Sequence, residues 1–524
     1  MGFRPDPDGF GFANYDNTGV VNLGEEEMFR LFGAGAFEST DGGRRILSPT
    51  AREWMEVVND AMQGGHCEGL AVSALLFYGN RLEPARFGGR SVHELRKDEN
   101  LTLQHEIAFW WATQATTPTA SSKIKSTPAE LVDLLVAGLA GKGNGNPLYD
   151  LHIYRAGGGG GHAVTPYAVR ERDGDHVEIL CYDNNHPGME RIIEVDRSVN
   201  TWRYSASRNP DESESVYEGD ASTMNLVAVP MDPRLRLQDC PFDDEASFTD
   251  DEESEESEEG DEETSSSVGM STAADTRSAK TPVEIWLDGD ADLLITDRQG
   301  RRLGLVGDRF VNEIPGASYR YMLSAGFEKV EHEPVYVIPS GIEVTITLSG
   351  ARLEEASSSD ITIFGRGFSI EVNEVMLEPG QVDVIGFSPD GKTVTYKPSG
   401  DESPDLIIAF RTRAEDYEFE VGDFEVTKGG SLEMGIEYRE GRVRVRAPRS
   451  RDGASLALYG YRVVGEREDT FENDDITLGA GETGYLYFRN WGGAGTDMRY
   501  AVDTNGDGKP DREESLDDED LARD

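Results

Sequence analysis

The chain has 524 residues and 37% hydrophobic content, enough for roughly three or four domains with ordinary cores. With 100 acidic against 50 basic residues and a formal net charge of −50, it should repel nucleic acid and anionic membranes and attract cations. It holds no uninterrupted run of about 18 apolar residues, so no membrane span is expected.

The opening MGFRPDPDGFGF has no basic-then-apolar leader, so no signal peptide is expected in this chain. Thr50 followed by Glu53 reads as a capping box that opens a helix to about Met62. Residues 66–79, HCEGLAVSALLFYG, are apolar nearly all round, which predicts a helix buried on most sides. Leu103, Ile107, Trp110, Trp111 and Gln114 fall at helical spacing; the two tryptophans read as packing. Thr127, Pro128 and Glu130 cap a further helix that Gly141 ends. Residues 162–170 and 177–183 flank a turn at Asp173 and Gly174, a hairpin pattern. Helices first and strands second predict an α+β domain over 1–237.

The composition then changes. Residues 243–263, DDEASFTDDEESEESEEGDEE, repel one another and bury nothing, so 238–280 reads as a disordered acidic linker. From 281 the pattern turns to period two with frequent Gly, Pro and Asp turns, as in EVTITL, KTVTY and RVRVRA. That predicts all-β sandwich modules, two by length, over 281–400 and 401–500. Asp288, Asp290 and Asp292 alternate but lack a calcium loop's glycine and glutamate, and read as a strand-edge turn. The charged residues are rich in acid and poor in lysine; adaptation to high salt and a GC-rich genome both produce that bias.

The cysteines are Cys67, Cys181 and Cys240, too few for a disulfide scaffold and at no zinc spacing. Cys67 follows Gly64 and Gly65 at the start of the buried helix. There the helix dipole and free backbone N–H groups favour a thiolate. Cys181 lies inside a strand and reads as core. His162 follows the glycine run 157–161, which leaves room beside its ring for a substrate. With a turn at Asp173–Gly174, Asp183 is the diagonal neighbour of His162 on the returning strand and orients the imidazole. Asn184 or Asn185 takes that place in other registers. His66 points away from its neighbour and reads as positioning or surface. His186 falls in a turn, and the five-glycine run opens no helix and so cradles no phosphate.

The order Cys, His, Asp/Asn, with the segments GGHCEGLA, GGHAVTPYAV and CYDNNHPG, resembles the papain-like cysteine peptidases. It is similar in particular to a bacterial group with Gly-Gly-His-Cys and Tyr-Asp-Asn-Asn segments. The resemblance covers about residues 1–230 and implies an α+β papain-like domain with Cys67 as nucleophile, His162 as base and Asp183 as orienting acid. It also implies an oxyanion-hole glutamine six residues before the cysteine. Ala61 stands there, and Gln63 is the nearest candidate; Glu68 replaces the tryptophan that often follows the cysteine.

Residues 503–514, DTNGDGKPDREE, place Asp503, Asn505, Asp507, the Lys509 carbonyl, Asp511 and Glu514 at calcium-loop positions, with Gly508 at the tight turn. The strand-like MRYAVD before it makes the loop resemble the solitary loops of thrombospondin type 3 and dockerin-like modules. The expectation is a cysteine hydrolase of peptide or amide bonds, with no cofactor for catalysis and a structural calcium in the tail, 501–524. A peptide or protein is the expected substrate, and the β modules would hold a cell-surface or matrix ligand in an extracellular setting. The competing expectation is an inactive papain-like scaffold in a calcium-binding surface or adhesion protein.

Overall fold

The computed structural model describes residues 2–38, 44–140, 148–155, 160–206, 216–242, 281–307, 309–323, 333–412, 415–446 and 454–519. The acidic tract from 243, Gly141 and glycines 157–159 lie outside them. The described chain is mostly β, with three large antiparallel sheets and few helices. It divides into two compact units. One comprises Met1–Gly33, Trp54–Cys240 and Arg320–Pro334; the other comprises Ala34–Glu53, Pro241–Tyr319 and Val335–Asp524.

The helices of two turns or more are α1 (Glu25–Phe32), α2 (Pro49–Asp60), α3 (Cys67–Tyr78), α4 (Leu101–Ala112) and α5 (Pro128–Ala140). At α2 the cap lies two residues earlier than the sequence suggests. Ser48 Oγ accepts the Ala51 N–H at 3.2 Å, because Pro49 has no N–H of its own to satisfy and fits the first helical position. At α5 the expected box forms: Thr127 N–H donates to Glu130 Oε2 at 3.0 Å, and Glu130 N–H reaches Thr127 Oγ1 at 3.5 Å. Every residue of α3 from Cys67 to Phe77 is buried. Gly69 lets α4 press close, since a Cβ there would sit 2.1 Å from the Ile107 carbonyl oxygen.

The first unit's sheet has eight strands: β1 (Ile124–Lys125), β2 (Tyr149–Tyr154), β3 (Gly161–Asp173), β4 (His176–Tyr182), β5 (Glu190–Asp196), β6 (Thr201–Ser205), β7 (Val216–Asp220) and β8 (Leu226–Pro230). Their spatial order is β1-β8-β2-β3-β4-β5-β6-β7. Strand β4 is buried on both faces, and its alternation assigns each face a helix. Ile179 and Cys181 pack with Leu131 and Leu135 of α5, whereas Leu180 and Tyr182 pack with Leu70 and Phe77 of α3. Cys181 is thus core, as its strand position implied.

In the second unit, a sheet of eleven strands and one of nine share a single apolar core that runs from Val283 to Leu516. The expected division at 400 does not interrupt either sheet. Val394 pairs with Met434 in one, and Ile370 pairs with Ile408 in the other. A period-two pattern fixes which residues face inward but carries no information on where one sandwich ends. The expected tail is also sheet: Met498–Asp503 and Arg512–Leu516 form an edge hairpin of the eleven-stranded sheet. The unit takes in Ala34–Glu53 because Ile46 buries against Tyr461 and Val463.

Candidate active site

Cys67 is the first residue of α3, and a fixed turn holds it there. Gly65 adopts φ +131, open to glycine at little cost. His66 is fully buried rather than at the surface. Its N–H donates to Asn14 Oδ1 at 2.7 Å, its Nδ1 lies 2.8 Å from the Tyr15 carbonyl, and its Nε2 lies 2.8 Å from Asn22 Oδ1. The Tyr15 ring stacks on it at 4.3 Å. Burial pushes the His66 imidazole down to about 4, so it serves as a neutral clamp between the N-terminal segment and the thiol's turn.

His162 lies on β3, fully buried, with Nε2 2.7 Å from Asp183 Oδ1. Asp183 Oδ1 also accepts the Asn185 N–H at 2.8 Å, and Oδ2 accepts the Tyr204 hydroxyl. Burial pushes this carboxyl up, but the His162 charge, with the His162, Tyr204 and Asn185 hydrogen bonds, outweighs it and holds Asp183 at about 2. The three neighbouring candidates therefore divide the work. Asp183 pairs with the histidine and Asn185 lends its backbone. Asn184 donates through Nδ2 to the Cys67 carbonyl at 2.9 Å and the Ala163 carbonyl at 3.1 Å, tying the start of α3 to the histidine strand.

The register that brings Asp183 to His162 is reached by an unexpected route. The pair Asp173–His176 puts the turn at Gly174–Asp175, and register shifts follow at Glu171/Asp173 and Pro166/Ala168. They bring Thr165 opposite Tyr182, the same register that a turn at Asp173–Gly174 without bulges would give.

Cys67 itself is fully buried and packs with Ala71, Ala163 and Leu323, and against Tyr154. Burial pushes the thiol well above its ordinary range. The backbone N–H groups of Ala163 and Glu68 pull the other way, and the Glu68 and Asp183 carboxylates add to the rise. The helix-start position alone thus does not make a thiolate in this closed arrangement.

Gln63 is exposed in the turn before Cys67. The buried glutamine of the site is Gln114, which follows α4. Its Oε1 accepts the Leu323 N–H at 2.8 Å and its Nε2 donates to the Leu323 carbonyl at 3.2 Å. Tyr204 and Gln114 have no sequence signature, because each acts through a partner distant in the chain. A Cβ at Gly161 would lie 2.6 Å from Leu323 Cδ2, so the glycine before His162 leaves room for that leucine.

Behind Cys67 lies a buried charge network. Glu68 Oε2 is 2.9 Å from His152 Nε2, which is also 2.9 Å from Asp150. Arg234 donates to Glu68 at 2.5 Å, to Asp150 at 3.2 Å and to Thr113 Oγ1 at 2.7 Å. Ligand atoms of Glu68, Asp150 and His152 come within 4.8 Å of one another, but the Arg234 guanidinium already supplies the positive charge such a group requires. His186 Nε2 bonds the Ala206 carbonyl at 2.5 Å, and Trp110 Nε1 donates to Glu106 at 2.7 Å within the helical core.

In the terminal loop, Asp503 Oδ1 accepts the N–H groups of Asn505 and Gly506, and Oδ2 accepts that of Gly508 at 2.7 Å. Asp507 Oδ1 accepts the Lys509 N–H at 2.9 Å, and Asn505 Nδ2 donates to Asp511 at 3.1 Å. Glu514 stands apart on the edge strand, paired across it with Tyr500 and 3.3 Å from Arg512. The loop's carboxylates are therefore held by its own amides and are not drawn onto one point. Asp290 and Asp292 are at a strand end, as expected, and bond Ser357 and Arg352.

Comparison of the chain with protein-family models, curated proteins and solved structures found no match.

Proposed function

We propose that the first unit is a papain-like thiol hydrolase of peptide or amide bonds, with Cys67 as nucleophile, His162 as base and Asp183 as the acid that orients it. The observation that carries this reading is the commitment of His162 Nε2 to Asp183, with the next residue, Asn184, donating to the Cys67 carbonyl. On this reading Nδ1 is the nitrogen that exchanges a proton with sulfur. Nδ1 takes the thiol proton, and the thiolate adds to the substrate carbonyl. The C–N bond breaks as the imidazolium returns its proton to the leaving amine. Water, deprotonated by the same nitrogen, cleaves the thioester to a carboxylic acid and restores the thiol. The backbone N–H groups at the start of α3 are the oxyanion donors this geometry favours, since Gln63 faces solvent. The test is hydrolysis of a fluorogenic peptide library by the full chain: Cys67→Ala should abolish turnover, and Asp183→Asn should lower it about 10²–10⁴-fold. No turnover under any condition would remove the hydrolase reading.

One observation favours the competing scaffold: Cys67 has no exposed surface. On that reading the unit keeps a papain-like fold without activity and serves a calcium-binding surface or adhesion protein. The calcium proposal itself rests on the oxygen-ligand spacing from Asp503 to Glu514. Gly506 and Gly508, at φ +77 and +81, already supply its tight turn.

A further inference from the structure

The residue that closes the thiol comes from far away in the chain. Leu323 is 209 residues from its partner Gln114, and it arrives with the Arg320–Pro334 stretch that belongs to the first unit. Its side chain is fully buried against Cys67, Ala71 and Ala163. Its backbone is held at both polar groups by one side chain, Gln114, in the manner of a strand partner. Arg320 adds a hydrogen bond to the Ala115 carbonyl at 2.9 Å. A clamp on N–H and C=O reads any extended peptide, whatever its side chain. The space for the leucine exists because residue 161 has no Cβ.

Building on the reading of Cys67 as nucleophile, we propose that Arg320–Leu323 lies where a substrate chain would lie and holds the site shut, with Gln114 as its latch. At Leu323 the closing contacts are one apolar side chain and two neutral hydrogen bonds with the Gln114 amide. Such a segment opens locally without global unfolding. A polypeptide that offers Gln114 the same backbone groups competes for the latch, so access to Cys67 becomes a matter of displacement. The scaffold reading instead makes Leu323 a permanent part of the core.

The test is the rate of iodoacetamide labelling at Cys67 and at Cys181, read peptide by peptide by mass spectrometry on the full chain. In the wild type both thiols should label slowly. Leu323→Asp, which cannot leave its carboxylate in an apolar pocket, should raise the Cys67 rate at least about tenfold while Cys181 stays protected. Gln114→Leu, which strands two backbone groups, should move Cys67 in the same direction by a smaller factor. The proposal is overturned if Cys67 labels equally in wild type and Leu323→Asp with Cys181 protected. If Leu323→Asp exposes Cys181 as well, Gln114→Leu decides by the same two rates. Labelling needs no turnover, so a freed Cys67 that cleaves no peptide would sink the hydrolase reading and leave the latch standing.

Discussion

Asp183 and His66 show how burial acts in opposite directions on neighbouring chemistry. Asp183 is enclosed yet held at about 2 by His162, Tyr204 and the Asn185 amide, so its charge is available to orient the imidazole across the physiological range. His66 is buried, and burial outweighs the Tyr15 carbonyl and the Asp16 charge and lowers it to about 4. Its ordinary value is about 6.5, so the unfolded chain binds a proton first as pH falls. The stability that neutral His66 contributes is therefore complete above pH 6.5 and is lost as pH falls towards 4, by roughly 3 kcal/mol. Stability, read as protection of Cys181 from labelling, should fall more steeply from pH 7 to 4.5 in wild type than in His66→Asn. Parallel curves would show that the clamp does not depend on His66 being neutral. At this scale the sequence made the cysteine, the histidine and the acid legible, because a helix start and strand alternation are local signals. Gln114 and Leu323 were illegible because neither has a local pattern; each acquires its role only from the other.

Elements differ in how far a local pattern determines them. The α5 cap and the buried α3 follow from residues within one turn of each other. The β3–β4 register was reached despite a misplaced turn, since the two bulges restore the alternation that keeps apolar residues inward. The terminal loop shows the limit. Its spacing is that of a calcium loop, but its strands pair as a hairpin and leave Glu514 opposite Tyr500. Calcium binding must draw Glu514 from Arg512, so the affinity should be weak, in the range of about 10⁻⁵–10⁻³ M. Calorimetry on the full chain should show one saturable site that is lost in both Asp503→Ala and Glu514→Gln. Heat that persists in both variants belongs to the acidic surface at large and would end the calcium reading.

For the whole molecule, the β-rich character was legible in the period-two pattern, and the two units do not follow chain order. A stretch of the early chain, Ala34–Glu53, belongs to the sandwich unit, and a stretch of the late chain, Arg320–Pro334, belongs to the first. No composition shift marks either, because each is a short run whose burial is supplied by residues hundreds of positions away. Cleavage between 243 and 280, where the charge run leaves nothing to bury, should accordingly give two fragments that co-elute under native conditions. Fragments that separate as independent folded bodies would contradict this exchange of segments. The central claim, that Cys67 and His162 act as a nucleophile and its base, is tested most directly by the pH dependence of Cys67 alkylation in the Leu323→Asp chain, with and without His162→Ala. With His162 present, labelling should persist well below the ordinary thiol range near pH 8.5, and it should fall away with acid once His162 is removed. A rate that follows an ordinary thiol titration in both chains would contradict it.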